Sequence, residues 1–214
     1  VGTPQGGVIS PLLANLFLHY AFDHWMKSNH PENPFERYAD DAIVHCDTAA
    51  EAIKLKSEIA RRMEQCALEL HPEKTKIVYC KDANRTGNHA LHSFDFLGFC
   101  FRPRLSRNRH GQYFVNFSPA IAPNSKKSIY SEIRLWCLAK RSDLSVQELA
   151  NKINPVVRGW IEYYGAFFPS ELLFLVPHLD QLIYRWVIRK YKKHGSNFKR
   201  ADNWVKRIKS ARPN

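Results

Sequence analysis

Leu12, Leu13, Leu16, Phe17 and Tyr20 recur at the three-to-four spacing of one helical face, and Met26 extends the series. Gly2 to Ile9 reads as a Gly/Pro-rich loop ahead of it. Ser10 suits the helix cap and Pro11 its first turn, while Asn29-His30-Pro31 predicts the end. Phe35 to Cys46 reads as a hairpin of two short strands around Ala39-Asp40-Asp41. Thr48 and Glu51 match a capping box, and the next helix repeats Ala52, Leu55, Ile59, Met63 and Cys66 on one face. Thr75 to Cys80, Phe94 to Phe101 and Tyr113 to Phe117 read as strands, the last after a basic loop, Arg102 to Arg109. From Ser118-Pro119 onward the pattern predicts only helices. They cover about 125–140, 145–167 (opened by a Ser145/Glu148 box), 170–193 with a kink at Pro177, and 198–210.

This order predicts an α+β first part, 1–101, and an all-helical second part, 102–214. The 214 residues are 44% hydrophobic and 24% charged, enough for a core and too apolar for a disordered chain. The longest apolar run, Leu172 to Val176, is five residues, against the roughly 20 a membrane-spanning helix needs. The start, Val1-Gly2-Thr3-Pro4, has no signal-peptide pattern and no initiator Met, so a fragment with its upstream part missing is expected. Five cysteines without a CxxC pair indicate neither a disulfide framework nor a zinc ribbon and fit a reducing compartment.

Charge divides the chain more sharply than hydropathy does. Residues 1–101 hold 10 basic and 13 acidic side chains, net −3; residues 102–214 hold 22 and 7, net +15. A surplus of that size expects a polyanion, most simply RNA or DNA. Arg185, Arg189 and Lys192/Lys193 make a basic stripe at helical spacing, beside a more apolar face of Tyr184, Ile188 and Tyr191. Arg158 with Tyr163 and Tyr164 forms a second basic-aromatic cluster, a mixture that suits phosphates and unstacked bases.

In the first part, Asp40-Asp41 is the sharpest chemical feature. Neighbours in a strand point to opposite faces, but at a hairpin turn two carboxylates can converge. Converging carboxylates repel, and a divalent cation relieves this. Mg²⁺ held there would activate a 3′-hydroxyl and stabilise a leaving pyrophosphate. Taken alone, the pair is more simply a polar hairpin tip, where Asp is common.

The surrounding series narrows the choice. Pro4-Gln5-Gly6-Gly7-Val8-Ile9-Ser10-Pro11-Leu12-Leu13-Ala14-Asn15, then Tyr38-Ala39-Asp40-Asp41, Leu70-His71-Pro72-Glu73-Lys74-Thr75-Lys76 and Phe96-Leu97-Gly98-Phe99 resemble the later palm motifs of reverse transcriptases. The first two match the group II intron and retron-type branch. Ser118-Pro119, Ser125-Lys126-Lys127 and the run Asn154 to Tyr164 resemble the maturase-specific domain of group II intron proteins. The resemblance implies a partial palm over 1–101 and a helical thumb or maturase domain over 102–214.

It also implies roles. Asp40 and Asp41 become catalytic, metal-holding carboxylates for Mg²⁺, and Lys74 a proton donor to pyrophosphate. Gln5 and Gly6 lie against the nascent base pair, and Gly98 sits in a primer-contacting strand. Arg158, Arg185, Arg189, Lys192 and Lys193 bind RNA. Partners would be intron RNA or an RNA template, a DNA primer and dNTPs, with no membrane. The compartment would be the bacterial cytoplasm, or an organelle. The family's third carboxylate and its fingers precede the first motif here, so a catalytically inactive, RNA-binding remnant is the rival expectation. An RNA-dependent RNA polymerase with a similar palm fits these motifs less well.

Overall fold

The computed structural model describes residues 7–85, 87, 89–191 and 197–211. The chain forms two compact units, 1–79 and 80–214. The first opens with a helical run: α1 (Ser10–Leu18), a π-helical stretch (His19–His24) and α2 (Trp25–Asn29). Ser10 is not the cap. Its amide donates to the Gly7 carbonyl, so it already sits in the first turn, with Ile9 at the cap and Pro11 behind it. A hairpin follows, β1 (Phe35–Tyr38) and β2 (Asp41–Val44), then α3 (Ala49–Gln65).

Both halves of the α3 capping box form: Glu51 N donates to Thr48 Oγ1, and Glu51 Oε2 accepts from the Asp47 and Thr48 amides. Glu51 Oε1 also accepts from Asn33 Nδ2 at 2.7 Å, which satisfies that buried amide and ties the approach to β1 to the start of α3. Leu55 and Met63 of α3 pack with Phe22 and Met26, and Phe35 and Val44 of the hairpin close over them. Met26 is fully buried. The expected strand at Thr75 to Cys80 is irregular instead. Lys56 Nζ takes the Thr75 carbonyl that a ladder partner would use.

The second unit begins with an antiparallel sheet in the order β3 (Phe94–Phe96), β4 (Phe99–Arg107), β5 (Tyr113–Ile121). Here the sequence reading is corrected twice. Phe94 to Phe101 is not one strand but two, joined by a two-residue turn at Leu97-Gly98. The basic segment from Arg102 is not a loop: it is paired with β5 as far as Arg107, and β5 runs on to Ile121. Only Asn108 to Gln112 turns, where Asn108 Oδ1 accepts from the His110 and Gln112 amides and Gly111 takes φ 83°.

Helices α4 (Pro123–Leu135), α5 (Val146–Tyr164), α6 (Leu175–Lys190) and α7 (Phe198–Ala211) follow. α4 stops five residues before the expected Lys140, because Cys137 adopts a left-handed conformation and a short 3₁₀ turn, Leu138–Lys140, replaces the helix. The Ser145/Glu148 box forms as expected. α5 ends at Tyr164, with Gly165 at its cap. α6 does not start at Ser170, since a separate 3₁₀ turn occupies Pro169–Leu172. Pro177 is therefore the third residue of α6, in the first turn, where its missing N–H has no partner to lose and no kink is required. Trp186 and Val187 of α6 meet Leu149 and Ile153 of α5 and Ala201 and Val205 of α7 in the main core. The Trp186 indole N–H finds the Arg141 carbonyl at 2.8 Å.

Candidate active site and basic surface

β1 and β2 pair from Phe35 opposite Val44 to Tyr38 opposite Asp41, so Ala39 and Asp40 alone make the turn. Asp40 lies at the tip and Asp41 opens β2; both are exposed. Ala39 takes φ 54°, a left-handed conformation that costs a residue with a Cβ roughly 1–2 kcal/mol. Something must hold it, and Arg37 does. Its Nη1 donates to the Ala39 carbonyl at 2.7 Å and to Asn15 Oδ1 at 3.0 Å. Its Nε and Nη2 grip Asp23 Oδ1 and Oδ2, each at 2.7 Å. A planar guanidinium thus locks the carboxylate-bearing turn to α1 and to the π-helical stretch. The Arg37 hydrogen bond holds the Asp23 carboxyl below the usual carboxylate range, and Asp23 in turn raises the Arg37 pKa.

Arg37 and Asp23 escaped the sequence reading. The available signal was a lone Arg at a strand position next to the Asp pair. Arg37→Ala leaves Asp23 half-buried without its fork and the Ala39 carbonyl without a donor. It is expected to lower stability by about 2–3 kcal/mol, read as a shift of the urea midpoint at neutral pH. Arg37→Lys recovers little, because one ammonium cannot reach all four acceptors. The Asp23 pKa is depressed on folding, so the pair's contribution is complete above the unfolded carboxyl value near 3.9. It fades as pH falls through the lower folded value. The gap between wild type and Arg37→Ala should narrow in that acid range.

Lys74 sits exposed in the turn that the Thr75 amide closes onto the His71 carbonyl, with no hydrogen-bond or ion-pair partner among the described residues. Gln5 and Gly6 lie outside the described residues.

Gly98 is in a turn rather than within a strand. Leu97 and Gly98 take φ 50° and 77°, the mirror-image turn that matches strand twist and normally demands Gly or Asn at both positions. The Leu97 conformation is held from outside: Tyr163 Oη donates to the Leu97 carbonyl at 2.8 Å. Ser125 Oγ and the Ala122 amide both donate to the Gly98 carbonyl at 2.9 Å. A Cβ at Gly98 would come within 3.1 Å of Ser125 Oγ and Tyr164 Oη. The rings of Tyr163, Tyr164 and Phe167 surround Phe99. Tyr163 and Tyr164, grouped by sequence with Arg158, are thus engaged with this turn, while Arg158 is exposed on α5.

On α6, Arg185 and Arg189 are exposed one turn apart, and Tyr184, Ile188 and Tyr191 pack against the core. Arg189 Nη1 donates to the Ala139 carbonyl at 3.3 Å. Lys192 and Lys193 lie outside the described residues. Two Asp carboxylates supply hard oxygen donors, the kind that Mg²⁺ takes. Among the described residues, no group of three His, Cys, Asp or Glu side chains gathers to hold a metal.

The hairpin that carries Asp40 and Asp41 rests on the helices of the first unit, and a basic unit of three strands and several helices follows it along the chain. Residues 1–101 match the family model of reverse transcriptase (RNA-dependent DNA polymerase). Residues 126–207 match that of the group II intron maturase-specific domain. The chain belongs to the group II intron-type reverse transcriptase/maturases. No match was found among curated proteins. The reverse-transcriptase match ends inside β4, whereas the first compact unit ends at Tyr79.

Proposed function

We propose that this chain carries the metal-holding hairpin of an RNA-directed DNA polymerase, together with a basic unit that binds intron RNA for splicing. The observation that carries the reading is the Asp40-Asp41 pair, exposed at a two-residue turn that Arg37 braces. Asp40 and Asp41 would hold Mg²⁺, which when bound lowers the pKa of a hydroxyl and neutralises phosphate charge. Lys74 supplies a proton to leaving pyrophosphate. Gln5 and Gly6 lie against the nascent pair, and the Gly98 turn faces the primer. Arg158, Arg185, Arg189, Lys192 and Lys193 take RNA phosphates, and dNTPs are the second substrate. Five free cysteines suit a reducing compartment such as the bacterial cytoplasm. No described helix is long and apolar enough to cross a membrane.

A second reading, an RNA-binding maturase without polymerase activity, is favoured by one observation: among the described residues no group of three His, Cys, Asp or Glu side chains gathers to hold a metal, at the Asp40-Asp41 turn or elsewhere. Two Mg²⁺ ions carry +4 against −2 from this pair. The test is primer extension on an RNA template with Mg²⁺ and four dNTPs. The 214-residue chain by itself is expected to give no product. An enzyme that completes the metal site around this hairpin is expected to give product that Asp40→Asn abolishes. Extension that ignores Asp40→Asn would overturn the polymerase reading.

A further inference from the structure

The end of α6, the start of α7 and the 3₁₀ turn at Ala139 enclose a shallow pocket lined by Ala139, Arg185, Ile188, Arg189 and Phe198. We propose that it receives a single unstacked nucleotide of RNA, with the base on the Phe198 ring and the adjoining phosphates on Arg185 and Arg189. The inference deepens the RNA-binding reading of this unit and rests on it.

Phe198 is the first observation. It stands at the head of α7 with 50% of its surface exposed, although Ala201, Trp204 and Val205 on the same helix pack into or against the core. Folding therefore gains little from an aromatic ring there, whereas a base face would cover it. The two guanidiniums are the second. Arg189 is held in place by the Ala139 carbonyl, and among the described residues its other four N–H donors have no acceptor. Arg185, four residues earlier, has no hydrogen-bond or ion-pair partner among the described residues. Among the described residues, both are thus presented at the pocket with donors unspent. No acidic residue among those described lines the pocket, and Asp202 on α7 is already bonded to Tyr184 and Lys206.

Charge around the pocket is the third. Lys199 and Arg200 occupy the first turn of α7, where the helix dipole disfavours cations and no acid is present. An anionic ligand at this corner offsets that repulsion. The half-buried Ile188 beneath adds an apolar floor, so the pocket offers a ring, a floor and a pair of phosphate donors. A base inside a duplex presents only its edge, so the arrangement selects looped or bulged RNA over continuous helix.

The test uses the intact 214-residue chain and two RNA probes of equal length, a hairpin with an unpaired loop and a blunt duplex, followed by fluorescence anisotropy. Phe198→Ala should lose about tenfold affinity for the loop probe, within the 1–3 kcal/mol per base that stacking contributes. Its loss on the duplex should be far smaller. Phe198→Trp should retain loop affinity. Arg185→Gln should weaken binding to both probes and reduce the salt slope by about 1. A 4-thiouridine placed in the loop should cross-link to Phe198 in the unmodified chain, a readout that does not depend on any variant folding. Wild-type binding with equal losses on both probes for Phe198→Ala, or cross-links elsewhere, would overturn the pocket and leave RNA binding standing. A wild-type chain that binds neither probe would overturn the RNA-binding reading and the pocket with it.

Discussion

Asp40→Asn lowers primer extension about 10³-fold in an enzyme that carries this hairpin within a complete metal site, and leaves RNA affinity at the wild-type value. The substitution replaces a carboxylate by an amide of the same shape, so the turn survives. Its geometry depends on the β1–β2 ladder and on Arg37, and the Asp40 side chain makes no hydrogen bond or ion pair among the described residues. What is lost is one negative charge facing a divalent ion. A catalytic metal contributes several kcal/mol of charge stabilisation, and 1.36 kcal/mol is a factor of ten. Loss of one of its ligands at about 4 kcal/mol therefore gives the 10³. Single-turnover extension at saturating dNTP measures it directly, with RNA binding followed in parallel. A rate within a few-fold of wild type would remove Asp40 from the catalytic set, while a matching fall in RNA affinity would make it a structural residue.

RNA affinity of the intact chain falls about 10³-fold between 50 and 200 mM salt, the loss expected for about six phosphate contacts. The compact unit 80–214 holds 24 basic and 9 acidic side chains, net +15, against −3 for 1–79. Several of those acids are already engaged: Glu171 by Arg104 and Lys126, Asp143 by Arg141, Asp202 by Lys206. Asp82 pairs with Arg85 in the same way, and among the described residues most other cations of the unit have no acid partner. Arg102, Lys127, Arg158, Arg185, Arg200 and Arg207 are all exposed, and exposed charges contribute little to stability. Replacing Arg185 and Arg189 together by Ala should therefore weaken RNA binding while moving the melting temperature by no more than a degree or two. Binding isotherms at three salt concentrations give the slope. A flat response would mean that the surplus charge is not what holds the RNA.

The elements legible in the sequence were those whose signals are local. The hairpin around Asp40-Asp41, the two capping boxes and the buried face of α3 each follow from residues within a turn or two of one another. The β4–β5 ribbon was hidden by its arginines. Arg102 to Arg109 reads as a basic loop, yet Arg104 is buried because Glu171, 67 residues away, and the Ser118 and Cys100 carbonyls satisfy its guanidinium. The Leu97-Gly98 turn reads as strand because Leu rarely accepts a positive φ. Hydrogen bonds from Ser125 and Tyr163, 27 and 66 residues away, hold it there. Arg37 was missed for the same reason: its role lies in Asn15, Asp23 and the Ala39 carbonyl together, and no spacing rule connects them. The chemistry-bearing carboxylates were thus visible as residues, whereas the groups that position them became visible only with tertiary contacts.

The most direct test of the division between a carboxylate-bearing unit and an RNA-bearing unit is hydrogen–deuterium exchange of the intact chain with and without a structured RNA. The account predicts slowed exchange within 80–214, concentrated on α6 and α7, and little change in the β1–β2 hairpin or α3. Protection confined to 7–79, with α6 and α7 unchanged, would contradict it.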